Sequence, residues 1–192
     1  MFFCITQSSK ATSILDIDKD ELIIGDINAP VTIIEYASLS CHHCASFHVN
    51  TLPQLIEEYV NTGKIKIVFR DFPLNYPALM GSMLLQCIEL DIRQQYASAL
   101  YSLQSQWVVK EVENSKKELF KIFQTGGMTK KQFDECLMNK EVETKILQNI
   151  MDAQNEFNIN TTPSFVINGN LIAGNKPKEL RKIIDKLLKD YE

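Results

Sequence analysis

The sequence predicts an α/β fold in which a central mixed sheet flanked by helices is interrupted by an all-helical insertion. Three observations carry this. A β-branched run, Val31 to Tyr36 (VTIIEY), is followed by a helical stretch and then by the alternating strand Lys64 to Arg70 (KIKIVFR). From about Pro77 to Phe157 strand signals vanish and apolar residues recur at helical spacing. Strand signals then return as a hairpin, and an amphipathic helix closes the chain. The order is β-α-β, a helical block, then β-β-α, and the outer pieces are expected to share one four-stranded sheet. The expected domains are an N-terminal extension over 1–19, an α/β domain built from 20–75 and 158–192, and an inserted helical domain over 76–157.

Each element has its own signal. Met1 to Ile5 (MFFCI) is apolar but too short for a whole signal peptide, so it reads as the tail of a removed export signal or as a frayed end. Ile14 to Ile24 (ILDIDKDELII) holds short apolar clusters among acids, with room for a leading strand. Gly25 to Pro30 is turn chemistry. VTIIEY reads as a buried central strand broken by one carboxylate, Glu35. Ser40 fits an N-cap, so a helix is expected from Cys41, kinked near Leu52 by Pro53 and stopped at Asn61-Thr62-Gly63. In the helical block, Leu84, Leu85 and Ile88 form one apolar face and Leu119, Ile122 and Phe123 another. Val142, Ile146, Ile150, Ala153 and Phe157 form a third, and Gly126-Gly127 marks a break. Asn168-Gly169-Asn170 between SFVI and Leu171–Ala173 is a strong hairpin signal. Leu180, Ile183, Ile184, Leu187 and Leu188 give the closing helix its stripe.

Composition narrows the function. The chain has 192 residues, 45% of them hydrophobic, and a formal charge of −4. Lys and Arg are mixed among Asp and Glu with no basic stripe, which argues against a nucleic-acid partner. No apolar run approaches the ~18 residues needed to span a bilayer. Five cysteines are too few for a disulfide scaffold, and the odd number leaves at least one unpaired, with Cys4 as the leftover.

The chemistry concentrates at Cys41-His42-His43-Cys44. A thiol attacks a disulfide as thiolate, and a helix N-terminus favours that anion through its free N–H groups and dipole. Cys41 stands there and is expected to be the nucleophile. Cys44, three residues on, is expected to resolve the mixed disulfide. His42 and His43 lie where a positive charge would further stabilise the thiolate; the alternative is two exposed loop histidines without effect. A zinc site would need more ligands than this motif offers, and His48, one turn past Cys44, reads as a solvated helix residue, so no metal is expected. Glu35 is either an acid beneath the cysteine pair, exchanging a proton with Cys44, or a strand-end carboxylate that faces solvent or pairs with Lys66. Thr161-Thr162-Pro163 precedes the strand SFVI, and the Thr162–Pro163 bond is expected to be cis and set against the cysteine turn. That would leave the Thr162 backbone to pair with an extended substrate.

The run GDINAPVTIIEYASLSCHHCASFH (25–48), the stretch VFRDFPL (68–74), the helical insertion and the segment TTPSFVINGN (161–170) resemble DsbA-type thiol:disulfide oxidoreductases of the thioredoxin superfamily. The likeness covers nearly the whole chain from about Asp20. It implies a thioredoxin fold with an inserted helical domain in an exported bacterial protein of the periplasm or cell envelope. It implies that Cys41 attacks, Cys44 resolves, Glu35 is the acid beneath the site, His43 tunes Cys41 and Pro163 is the cis proline. No cofactor is implied beyond the Cys41–Cys44 disulfide itself. The implied partners are reduced or unfolded exported polypeptides and a membrane-embedded, quinone-linked reoxidising protein, with the chain itself a monomer. Two departures leave the strength of oxidation open. His42 stands where many members have proline, and Thr162 stands where the best-known oxidant has valine and where isomerases share threonine. The readings in competition are therefore an isomerase or reductase with the same thiols and, from another class, a zinc-binding protein. Cys87 and Cys136 fall within the helical block, where they are expected to form a structural disulfide like the second one of some alphaproteobacterial relatives; two buried free thiols are the alternative.

Overall fold

The computed structural model describes residues 15–191. Cys4 and the apolar start lie outside the described residues. Among the described residues five strands, one more than expected, form a single sheet in the order β1-β3-β2-β4-β5. They are β1 (Leu22–Ile24), β2 (Val31–Ala37), β3 (Ile65–Asp71), β4 (Ser164–Ile167) and β5 (Asn170–Ala173). The central pair β2–β3 is parallel and every other pairing is antiparallel, so the sheet is mixed. The added strand is β1, three residues at one edge against β3. A partly buried ion pair from Arg70 on β3 to Glu21 holds the chain just before it. Asn168 and Gly169 both take positive φ (47° and 78°), the conformation that a two-residue hairpin turn requires.

Strand pleating sends alternate residues of β2 to opposite faces. Ile33 packs with Phe47, Leu55, Leu180 and Ile184 beneath helix α9 (Pro177–Leu188). Ile34 and Tyr36 pack on the other face with Ala153 of α8 (Lys140–Phe157). Glu35 shares the pleat parity of Ile33 and is fully buried.

The helix after β2 is not uniform. It runs as α1 (His42–Ser46), a π turn (Phe47–Thr51), α2 (Leu52–Leu55) and a second π turn (Ile56–Val60). Pro53, which cannot donate to Val49, lies between the two wide turns. The sequence signal for a kink thus appears as a change of helical pitch. Between β3 and β4 the chain is helical: α3 (Tyr76–Gln86), α4 (Leu90–Ser102), α5 (Gln104–Trp107), α6 (Val112–Thr125), α7 (Lys130–Leu137) and α8. Trp107 is buried at the centre of this block and donates its indole N–H to the Leu100 carbonyl at 2.8 Å. Gly81 lets α3 press on the segment that enters the cysteine turn, since a Cβ there would stand 2.9 Å from Leu39 Cδ1.

Cys87, at the end of α3, is joined to Cys136 of α7, with Cα atoms 6.2 Å apart. The bridge closes 49 residues of chain. Replacing both cysteines by alanine is expected to cost up to ~4 kcal/mol of stability in the chain-entropy account. Thermal denaturation of the double variant checks this; an unchanged midpoint would mean that helix packing alone fixes the block.

Candidate active site

Cys41 caps α1, one position later than Ser40, which the sequence suggested. The shift matters, because a side chain at this position faces the free N–H groups of the second and third helical residues. As a thiol, Cys41 makes no cap hydrogen bond; its Sγ donates to the Thr162 carbonyl at 3.3 Å. As a thiolate it becomes an acceptor. The Cys44 thiol donates to it, and the Thr162 side chain and the N–H groups of Cys44 and His43 add to this, outweighing partial burial and lowering its pKa to about 5. Cys44 is the opposite case. Burial first, then the hydrogen bond it gives Cys41, then the nearby Glu35 charge, push its pKa far up. Cys44 is fully buried while Cys41 is partly open, and both are free thiols. One thiol is ionised and reachable, and the other holds its proton out of reach.

Thr162–Pro163 is cis. Its position against Cys41 follows from the antiparallel pairing of β4 with β2, which brings Ser164 opposite Tyr36. His42 and His43 are exposed, with ring centroids 3.8 Å apart. The contribution of His43 to the thiolate that the geometry displays is its backbone N–H.

Glu35 neither faces solvent nor pairs with Lys66, whose ammonium donates to the Ala29 carbonyl at 2.8 Å. The expectation for His48 is corrected. Its ring is buried, stacks on Tyr101 at 3.9 Å, and brings Nε2 to 3.2 Å from Glu35 Oε2. The distance is that of an ion pair when the imidazole is protonated. Among the described residues neither Glu35 oxygen nor His48 Nε2 has a hydrogen-bond partner. A signal existed in the sequence: His48 is four residues past Cys44, hence on its face of the helix.

Gln104 of α5 was not singled out. Its side-chain amide donates to the carbonyls of Leu39 (2.7 Å) and Cys41 (3.1 Å), tying the helical block to the nucleophile's own backbone. Nothing in its local sequence marks it, since the contact spans more than sixty residues of chain. Among the described residues no group of three or more His, Cys, Asp or Glu side chains is arranged to hold a metal ion, and no helix is long and apolar enough to cross a membrane.

These features have counterparts in known proteins. The thioredoxin family model matches residues 18–186. A Rickettsia bellii protein named as a protein-disulfide oxidoreductase is 27% identical over 176 residues, covering 91% of this chain and 67% of that protein. The chain therefore spans about two thirds of the length of this relative. Bacillus anthracis disulfide bond formation protein D is 30% identical over 176 residues, covering 86% of this chain and 77% of that one. The crystal structure of Wolbachia pipientis alpha-DsbA1 superposes with a TM-score of 0.83 at 30% identity, covering 92% of this chain and 95% of that one. With the cysteine pair at a helix start, the sheet order and these matches in agreement, the chain belongs to the thioredoxin family and, within it, to the DsbA-like protein-disulfide oxidoreductases.

Proposed function

We propose that the chain donates its Cys41–Cys44 disulfide to exported polypeptides in the cell envelope, acting as a monomer, and is returned to the oxidised form by a membrane-embedded, quinone-linked protein. One arrangement carries the direction of the reaction: Cys41 stands at the N-cap of α1 against Thr162, where the Cys44 thiol and the N–H groups of Cys44 and His43 favour its thiolate and hold its pKa down to about 5. Whatever stabilises the reduced pair makes its disulfide a better oxidant. A client thiolate attacks Cys41 Sγ, and the electron pair of the S–S bond passes to Cys44, which takes up a proton with Glu35 as the acid beneath the site. A second client thiolate then attacks the client sulfur, and Cys41 leaves as its stable thiolate. In this reading Thr162 and Pro163 present the backbone on which an extended client segment lies, and His42 and His43 flank its path. Residues 20–75 with 158–192 act as the catalytic domain. Residues 76–157 act as an inserted domain that supports the cysteine turn through Gln104 and is stapled by Cys87–Cys136.

Reduction potential is the test. Equilibration with glutathione buffers, followed by alkylation of free thiols, is expected to place the Cys41–Cys44 pair near the oxidising value of about −120 mV rather than the reducing value of about −270 mV. A value at the reducing end would turn the reading to an isomerase or reductase, with His42 and Thr162 the first residues to exchange.

A further inference from the structure

Behind the cysteine pair lies a cavity of about 100 Å³ between β3, α4 and α8. Its wall includes His48, Tyr101 and the charged or polar side chains of Glu21, Arg93, Lys145 and Asn149. The wall is mostly apolar, and these side chains supply the polar partners that water entering the space needs. Glu35 is fully buried and does not belong to the wall. His48 does, and its Nε2 stands 3.2 Å from the Glu35 carboxylate. The imidazole therefore stands between that space and an acid that does not line it. Buried polar atoms without hydrogen bonds are costly and rare, and three of them meet at this contact: both Glu35 oxygens and His48 Nε2. Packing alone would be served as well by an apolar ring stacked on Tyr101.

We propose that His48 is a positioning residue that relays protons between the cavity and Glu35, and through Glu35 to Cys44. This rests on the disulfide-exchange reading above. When a client thiolate attacks Cys41 Sγ, the Cys41–Cys44 bond breaks and its electron pair goes to Cys44 Sγ. Cys44 takes the proton of the Glu35 carboxyl. As it does so, His48, protonated on both ring nitrogens, passes its Nε2 proton to the carboxylate, and the neutral imidazole takes another from bulk solvent through the cavity. Each opening consumes one proton, and reoxidation returns it by the same route. Glu35 from β2 and Tyr101 from α4 meet the His48 ring, Cys44 precedes it by one turn on its own helix, and Arg93 from α4, Arg70 and Asp71 from β3, Glu21 before β1 and Lys145 from α8 line the same cavity. Phe47 and Phe69 close the remaining sides.

The test is stopped-flow reaction of the oxidised full chain with a reduced client peptide across pH 5–8.5, corrected for the peptide's own thiolate fraction. Wild type, His48→Gln, Glu35→Gln and the double variant are compared. The relay predicts that His48→Gln slows opening at least about tenfold above neutral pH, flattens the pH profile, and adds no further loss to Glu35→Gln, because the two act in series. A wild-type rate and profile, or a uniform slowing at every pH that adds to that of Glu35→Gln, would overturn it. Ring NMR of His48 in the unsubstituted protein gives an answer independent of variant folding. Its protonation is expected to differ between oxidised and reduced forms at one pH, and identical titration in both forms would overturn the relay. Failure of the wild-type chain to exchange disulfides at all would instead sink the reading on which the relay rests.

Discussion

Replacing Cys41 by serine is expected to abolish disulfide transfer, a loss of at least ~10⁴-fold, since no other reachable thiolate exists among the described residues. The same substitution isolates the thiolate's share of stability. The folded Cys41 ionises at about 5, against ~8.5 for an unfolded cysteine. Between those values the folded reduced protein holds a thiolate and the unfolded chain a thiol, so stability rises with pH across the window. The contribution is complete above ~8.5 and lost as pH falls through about 5. Unscreened, it would come to ~5 kcal/mol at ~1.4 kcal/mol per pH unit. Because Cys41 is only partly buried, ~2 kcal/mol is a sounder figure after solvent screening. Reduced wild type should then melt ~4–8 °C above Cys41→Ser at pH 8.5, with the gap closing below pH 5. Thiolate absorbance near 240 nm checks the midpoint directly. A gap that does not change with pH would show that the sulfur is held as a thiol.

Glu35→Leu is expected to make the protein more stable and less active at once. The carboxylate is fully buried and neither of its oxygens has a hydrogen-bond partner, an arrangement that costs ~1–3 kcal/mol. Leucine fills a similar volume without that cost, so the melting temperature should rise by several degrees. Opening of the Cys41–Cys44 disulfide should slow by ~10²-fold, because Cys44, whose pKa is pushed far up, then leaves without its acid. Calorimetry and stopped-flow fluorescence measure the two effects on one sample. A lower melting temperature would mean that the carboxylate holds β2 in place, and an unchanged rate would remove Glu35 from the reaction.

The sheet's central strands, the hairpin and the CHHC turn were legible because each carries a local signal: β-branched runs, Asn-Gly, and a cysteine pair at a helix start. Local signals also explain why the N-cap was misplaced by one residue, since Ser40 caps well and Cys41 makes no cap hydrogen bond as a thiol. β1 was only hinted at because three residues at a sheet edge carry too little pattern. His48 read as solvated because histidine is polar, although its position four residues past Cys44 pointed inward. Gln104 was invisible because its role depends on which carbonyls the fold brings to it from more than sixty residues away.

The two π turns on either side of Pro53 bear on how this helix tolerates changes in length. In a π turn, residues five apart lie over one another, as Phe47 and Leu52 do, and as Leu55 and Val60 do, with all four buried. Each wide turn holds one residue more than an α turn needs. A chain lacking one residue between 47 and 60 could therefore close a wide turn into an ordinary one and still deliver an apolar stripe to the sheet. The segment would absorb the deletion as a loop does, while lying inside the core and leaving the cysteine end where it is.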